Sequence, residues 1–329
     1  MRQPGTTARL RRLAGGVVLL GVGFVVGVQV GRTRGIPFVE TGEQWSIGIF
    51  RSDSPLRFSP RQAWFNPRFS AEAVTDLPAR FVADPFLVKG DDLWYLFFEV
   101  YNNRTAQGDL AVATSRSLRS WDYAGVVLDE PFHLSYPYVF ESEGSYYMIP
   151  ESFETNSVRL YRADDFPSRW SFVTTLVEGR DYVDNSIVFH DGRWWLFSSV
   201  TSNDTLYLHS ADSLTGPWTE HPESPIVTDD LHRSRPSGRI TEYQGRLYRY
   251  TMDVAPPQGT HRVMAYEITE LTPTRYAERS AQDEPVLAPS GRGWNGQGMH
   301  QIDPVRVGPD EWVAAVDGFG KYRVFGWRY

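Results

Sequence analysis

The sequence predicts an all-β protein, a five-bladed β-propeller closed by an N-terminal strand and preceded by one N-terminal transmembrane helix. Three observations predict it: five copies of one strand pattern, an aromatic-rich composition punctuated by glycine and proline, and a single uncharged apolar run near the N-terminus. Of the 329 residues, 14% are aromatic, with Gly 28 and Pro 22. Aromatic side chains suit half-buried pleated faces and Gly and Pro mark tight turns, so this mixture favours many short strands. A hydrophobic fraction of 41% and a charged fraction of 22% are those of a folded chain and argue against disorder, collagen and coiled coil.

Taken in chain order, Arg2, Arg9, Arg11 and Arg12 precede an uncharged run from Leu13 to Val30, and Arg32 and Arg34 follow it. As a helix this run spans about 27 Å, close to a bilayer core. The arginine surplus before it places the N-terminus in the cytoplasm and the remainder outside. A cleaved secretory signal is the competing reading, although no A-x-A site follows the run. The expectation is a basic cytoplasmic stub and signal anchor over residues 1–35, then a propeller over residues 36–329 that is periplasmic, extracellular or lumenal.

The copies open at Asp84-Pro85-Phe86, Tyr136-Pro137-Tyr138, Asn185-Ser186-Ile187, Arg235-Pro236-Ser237 and Asp303-Pro304-Val305. Their spacing is about fifty residues, with a longer last interval, a period typical of solenoids and propellers. In four copies a turn glycine leads into an aromatic second strand: Gly90 before Leu93-Trp94-Tyr95, Gly144 before Tyr146-Tyr147, Gly192 before Trp194-Trp195, and Gly245 before Leu247-Tyr248. In the fifth, Gly308-Pro309-Asp310 leads into Trp312. These read as hairpins in which glycine supplies the positive φ of the turn. Third strands begin near Leu110, Val158, Leu206 and Val263, so each copy is an antiparallel meander, the unit of a propeller blade. The fifth copy is one strand short, while Trp45–Arg51 has strand character and no copy of its own. Pairing the two closes the ring and removes an exposed edge. The longer interval implies a surface insertion over residues 281–298, lying over one mouth of the channel. An irregular β-sandwich is the alternative fold.

The innermost strand of each blade lines the channel, and the residues opening these strands read Asp84, Tyr136, Asn185, Arg235 and Asp303. A purely structural hub would be small or apolar, whereas this set is polar and carries both signs of charge. Asp184, Arg239 and His300 are close neighbours in sequence, and Glu99 and Glu151 end second strands at the same rim. Carboxylates that work as acid and base beside aromatic rings that stack on sugars point to glycosidic chemistry. The competing reading is a structural network of paired charges. The absence of cysteine removes disulfides, thiolate metal sites and cysteine nucleophiles. No metal and no cofactor are expected. A net charge of -7 offers no basic footprint for nucleic acid, and no phosphate loop, dinucleotide fingerprint or serine elbow occurs.

The segments Trp45-Ser46-Ile47-Gly48-Ile49, Asn66-Pro67, Phe81-Val82-Ala83-Asp84-Pro85-Phe86, Tyr136-Pro137-Tyr138-Val139-Phe140-Glu141, Tyr147-Met148-Ile149-Pro150-Glu151-Ser152 and Ser234-Arg235-Pro236-Ser237-Gly238-Arg239 carry a resemblance. The chain resembles the five-bladed propellers related to family 43 glycoside hydrolases and, more closely, the N-terminal domain of the glucosamine inositolphosphorylceramide transferases. The hydrolase resemblance implies a base at Asp84. Its pKa-tuning aspartate falls on Tyr136, its acid falls on Asp184 only if one gap is allowed, and Glu151 is the other candidate acid. His300 is similar to the central histidine of such hydrolases, which often sits by a metal or water. The catalytic candidates are thus Asp84, Glu151 and Asp184; the substrate-binding candidates are Glu99, Tyr136, Asn185, Arg235, Arg239, His300 and Asp303. In the plant proteins this propeller is joined to a separate glycosyltransferase domain, and this chain is expected to end with its fifth blade. Two functional readings follow: a membrane-anchored glycoside hydrolase-like enzyme acting on a glycan or glycolipid, or a non-catalytic glycan-binding module that assists a partner glycosyltransferase.

Overall fold

The computed structural model of the chain describes residues 39–255 and 261–325. The apolar run Leu13–Val30 lies outside them, and no helix among the described residues is long and apolar enough to cross a membrane. The chain divides into a main unit, Gln44–Gly320, and a smaller one formed by Met1–Glu43 and Lys321–Tyr329.

The main unit is a five-bladed β-propeller. Strand β1 (Val39–Ser52) comes first. Blade 1 is the meander β2 (Ala79–Lys89), β3 (Trp94–Asn102), β4 (Gln107–Ser115) and β5 (Asp122–Leu128). Blade 2 is β6 (Ser135–Ser142), β7 (Ser145–Glu151), β8 (Ser157–Asp165) and β9 (Arg169–Glu178). Blade 3 is β10 (Tyr182–His190), β11 (Arg193–Val200), β12 (Leu206–Ala211) and β13 (Thr219–Glu220). In blade 4 the inner position is split between β14 (Arg235–Pro236) and β15 (Thr241–Tyr243), both paired to β16 (Arg246–Asp253), followed by β17 (Arg262–Leu271) and β18 (Tyr276–Ser280). Blade 5 runs β19 (Ile302–Gly308), β20 (Glu311–Phe325), β1, so the N-terminal strand completes it as its sequence foretold. A single bridge from Ile47 to Phe69 adds a fourth row outside β1. Of the smaller unit, only the ends of β1 and β20 are described.

Three hairpin turns follow from their sequences. Glu143-Gly144, Asp191-Gly192 and Gln244-Gly245 place both central residues at φ between 50 and 77°, the doubly left-handed turn whose twist matches the strands it joins. Gly90 departs from the expectation: its φ is not positive, and the turn is closed by Gly90 N–H donating to Leu93 C=O at 2.9 Å.

Each seam between blades buries its own apolar cluster, because alternate side chains of a strand face opposite blades. In β3, Leu96 and Phe98 pack towards blade 5 with Ile47, Val313 and Ala315, while Phe97 packs towards blade 2 with Val139, Met148 and Trp170. Tyr138, Ile149 and Leu196 fill the seam between blades 2 and 3, and Trp195, Leu208 and Ile268 that between 3 and 4. Within the insertion over residues 281–298, Val286 and Leu287 enter the seam between blades 4 and 5 beside Phe50, Tyr250 and Val316, and Trp294 donates its Nε1–H to Ala63 C=O at 3.0 Å. At its end Gly298 pairs with Phe319, whose ring lies 5.3 Å from that of Trp45.

Candidate active site

The innermost strands of blades 1 to 3 share an irregularity. Opposite the second strand, Ala83 pairs with Glu99, Ser135 with Glu151 and Val183 with Ser199, and the register slips at the next residue. That residue is Asp84, Tyr136 or Asp184, each left-handed at φ 52, 47 and 49°. The three are therefore equivalent, and Asp184, not Asn185, is the blade 3 member. The gap needed by the sequence alignment does not exist in the structure. Left-handed non-glycine backbone costs on the order of 1 kcal/mol and concentrates at functional sites.

A carboxylate on the preceding blade satisfies each bulged N–H. Asp84 N–H donates to Asp317 Oδ2 at 3.0 Å, Tyr136 N–H to Asp84 Oδ2 at 3.2 Å, and Asp184 N–H to Glu151 Oε2 at 3.1 Å. Asp317, at 0% exposure, also accepts from the backbone N–H of His300 and Gln301. His300 bridges two carboxylates, with Nε2 3.2 Å from Asp84 Oδ1 and Nδ1 2.7 Å from Asp317 Oδ2. On the other side, Arg235 pairs through Nε with Asp184, approaches Glu151 Oε2 at 3.5 Å and donates to Asn203 Oδ1 at 2.8 Å. Glu99 faces His133 Nε2 at 3.8 Å, and the His133 Nδ1 accepts the Gly108 N–H at 3.0 Å. The Trp45 ring lies 4.1 Å from the His300 ring and forms an aromatic wall. The His261 ring follows at 6.0 Å from Trp45.

Five carboxyl groups, those of Asp84, Glu99, Glu151, Asp184 and Asp317, thus share a small volume with two cations, Arg235 and His300. Full ionisation would leave three negative charges uncompensated in a poorly hydrated site. Burial, reinforced by the charges of Asp84 and Glu151, holds the Glu99 carboxyl well above the usual carboxylate range. Burial and the Asp184 charge do the same to Glu151, against the pull of Arg235. Burial opposes the charging of His300, but Asp317 and Asp84 outweigh it and hold the imidazolium well above its ordinary pKa. Burial lowers His133, and burial followed by the His300 charge brings His261 down to about 4. The site thus sets two glutamic acids, whose carboxyls are held well above the usual range, in one cluster with Asp84 and the His300 ring that faces it.

Among the described residues, Asp84, His300 and Asp317 are the group whose ligand atoms lie close enough to hold a cation, within 4.8 Å of one another. Both ring nitrogens of His300 already donate to those carboxylates, so a metal would have to displace a proton from a strongly held imidazolium. The triad as folded is an ion-pair chain, and its ligand atoms would hold a cation only in place of a ring proton.

Of the ten residues singled out in the sequence, Asp84, Glu99, Glu151, Asp184, Arg235 and His300 come together at this mouth. Four do not present a free polar group there. Tyr136 is 1% exposed; its hydroxyl accepts the Gly238 N–H at 2.6 Å and lies 2.9 Å from Ser186 Oγ, linking blades 2, 3 and 4. Asn185 is 0% exposed and bonds Ser198 and Pro150 between blades 2 and 3. Arg239 and Asp303 pair deeper in the axis, Nε to Oδ1 at 2.8 Å. Sequence reading missed Asp317, His133, Asn203, Trp45 and His261. Asp317 ends a run of small and apolar residues in β20, and nothing local distinguishes it from a turn aspartate.

An all-β ring of five blades with an acidic axial site is a propeller of the glycoside hydrolase-like fold. The chain belongs to the family described as glucosamine inositolphosphorylceramide transferase 1, N-terminal, whose model matches residues 39–319. It is 35% identical over 344 residues to glucosamine inositolphosphorylceramide transferase 1 of Oryza sativa subsp. indica, covering 96% of this chain and 46% of the rice protein. It is 33% identical over 324 residues to the protein of the same name from Arabidopsis thaliana, covering 90% and 42%. The chain thus spans less than half the length of these curated relatives. Solved structures with similar folds include an exo-1,5-α-L-arabinanase from a bovine ruminal metagenomic library, with TM-score 0.53, 15% identity and coverage of 75% of this chain and 97% of the other. A thermostable family-43 glycoside hydrolase matches with TM-score 0.51, 13% identity and coverage of 61% and 76%. At these identities the likeness concerns the fold alone. Family and fold together fit a glycan-related function.

Proposed function

We propose that the axial site acts on a glycan or glycolipid by acid–base chemistry at a glycosidic bond. The observation that carries the reading is the buried Glu151 carboxyl, which accepts the Asp184 N–H and faces Arg235 in a cluster of five carboxyls and is held well above the usual carboxylate range. Glu151 gives its proton to the departing glycosidic oxygen; Asp84 takes the proton of the incoming water or hydroxyl and passes it back to Glu151 through solvent before the next turnover. Arg235 pairs with Asp184 and the His300 ring with Asp84, which holds both carboxyl groups in place, and Trp45 supplies a face for a sugar ring. The name of the relatives makes inositolphosphorylceramide and its glycosylated forms the first substrates to try. Leu13–Val30 anchors the protein in a membrane with the propeller on the extracytoplasmic side, which brings a lipid headgroup within reach.

A second reading, a binding module serving a separate glycosyltransferase, is favoured by one observation. The blade 2 member of the bulge series is Tyr136, whose side chain is consumed in structural bonds, so the third carboxylate of a hydrolase set is missing. The two readings separate when the full chain is incubated with glycans and inositol-containing glycolipids, following products by mass spectrometry and binding by calorimetry. Products that vanish in Asp84→Asn while affinity changes by less than about threefold support the enzyme. Saturable binding without product from either protein refutes it and supports the module.

A further inference from the structure

Cross-blade hydrogen bonds also gather around Arg239 and Asp303. Arg239 donates through Nε to Asp303 Oδ1 at 2.8 Å and through Nη2 to Val139 C=O at 2.9 Å, while Leu87 N–H donates to Asp303 Oδ2 at 2.6 Å. The Tyr136–Gly238 bond adds a further link across the blades. On the far side lies a second cavity of about 310 Å³, between blades 1, 2 and 5. Asp84 and the cavity-lining Lys89 sit on the same strand, roughly 16 Å apart along it.

The chemistry of this cavity is opposite to that of the first. Its cations are Lys89, Arg306 and Arg239, and its lining carboxylate is Glu141. Arg239 is neutralised by Asp303, so Lys89 and Arg306 together exceed Glu141 by one positive charge. Arg306 is aimed and held: its Nε donates to Gly308 C=O at 3.1 Å and its Nη2 to Pro309 C=O at 2.7 Å, leaving Nη1 without a hydrogen-bond partner among the described residues. Arg239 is held by Asp303, Val139 and the Tyr138 ring, and its side chain retains 22% exposure. Tyr146 contributes an aromatic wall fixed by stacking on Phe166 at 3.9 Å. Valine side chains, Val139 among them, make up much of the rest. A cavity of this size admits a monosaccharide, a pre-aimed guanidinium suits a carboxylate or phosphate, and a fixed aromatic ring suits a sugar face.

We propose that this distal cavity is a second ligand site, for a sugar carrying a carboxylate or phosphate. The anion sits against Lys89 and Arg306, and the ring packs on Tyr146. The site is independent of the acid–base reading of the other mouth. Calorimetric titration of the full chain with glucuronate, glucose 6-phosphate, neutral glucose and inorganic phosphate tests it. Saturable binding of at least one anionic sugar is expected, with no comparable binding of glucose. Lys89→Ala and Arg306→Ala should each weaken that binding about tenfold, the loss of one charge-assisted contact. Asp84→Asn, at the opposite mouth, should leave it unchanged. The arms with glucuronate and glucose 6-phosphate decide which anion is taken. Absence of saturation up to roughly 10 mM overturns the proposal. So does binding that both cavity variants retain, or that Asp84→Asn abolishes, and inorganic phosphate binding as tightly as glucose 6-phosphate removes the sugar from it.

Discussion

Asp317 accepts from three backbone N–H groups and from the His300 ring without any exposure of its own. It is a positioning residue that ties blade 5 to blade 1 and supplies the charge that keeps His300 protonated. Asp317→Asn is expected to move the His300 titration downward, readable by NMR of the imidazole carbons. An unmoved titration would mean that Asp84 alone sustains the imidazolium. His209 is the opposite case: buried at 3% exposure, with Nδ1 unpartnered, it is lowered by burial from 6.5 to about 4. The unfolded chain therefore binds the proton first as pH falls, and stability present above pH 6.5 is lost between pH 6.5 and 4. His209→Gln should flatten that stretch of the stability–pH curve by up to about 3 kcal/mol, measured by urea unfolding at each pH. Of these two residues neither was legible in the sequence, since the environment that shifts a titration is assembled from distant segments. Asp84 was legible because Asp-Pro opens a strand whose copies recur; Asn185 was mistaken for its counterpart because the bulge that sets the register leaves no mark in composition.

At the scale of elements, the bulges at Asp84, Tyr136 and Asp184 turn a side chain of the innermost strand towards the mouth while the rest of the strand keeps its pairing. Blade 4 solves the same problem with a glycine. Gly238, at φ +141°, lies against blade 5 so closely that an added Cβ would meet the Ile302 carbonyl oxygen at 1.7 Å. The Ser237 C=O accepts the Ile302 N–H at 3.0 Å beside it. Gly238→Ala must push apart the inner strands of blades 4 and 5 and should cost about 3 kcal/mol or more by chemical denaturation. A loss below about 1 kcal/mol would show that this contact relaxes freely. The hairpin turns, by contrast, were readable in advance at three of four glycines, because a doubly left-handed turn has a local residue requirement that sequence displays.

For the whole molecule, closure rests on β1. Without it β20 would present an unpaired edge in a blade reduced to β19 and β20. Deleting residues 1–52 is expected to abolish the single cooperative thermal transition and to produce aggregates on size exclusion; a monomer that melts cooperatively would refute the closure role. The repeat, the blade count, the closing strand and the acidic character of the axis were determined by the sequence alone, since strand periodicity, turn residues and composition act over a few neighbouring positions. The register of blade 3, the burial of Tyr136, the recruitment of Asp317 and the cationic cavity at the far mouth were decided only by the tertiary structure. Each depends on which side chains from separate blades meet at the axis, and burial and charge there are properties of the assembled ring and not of any one segment.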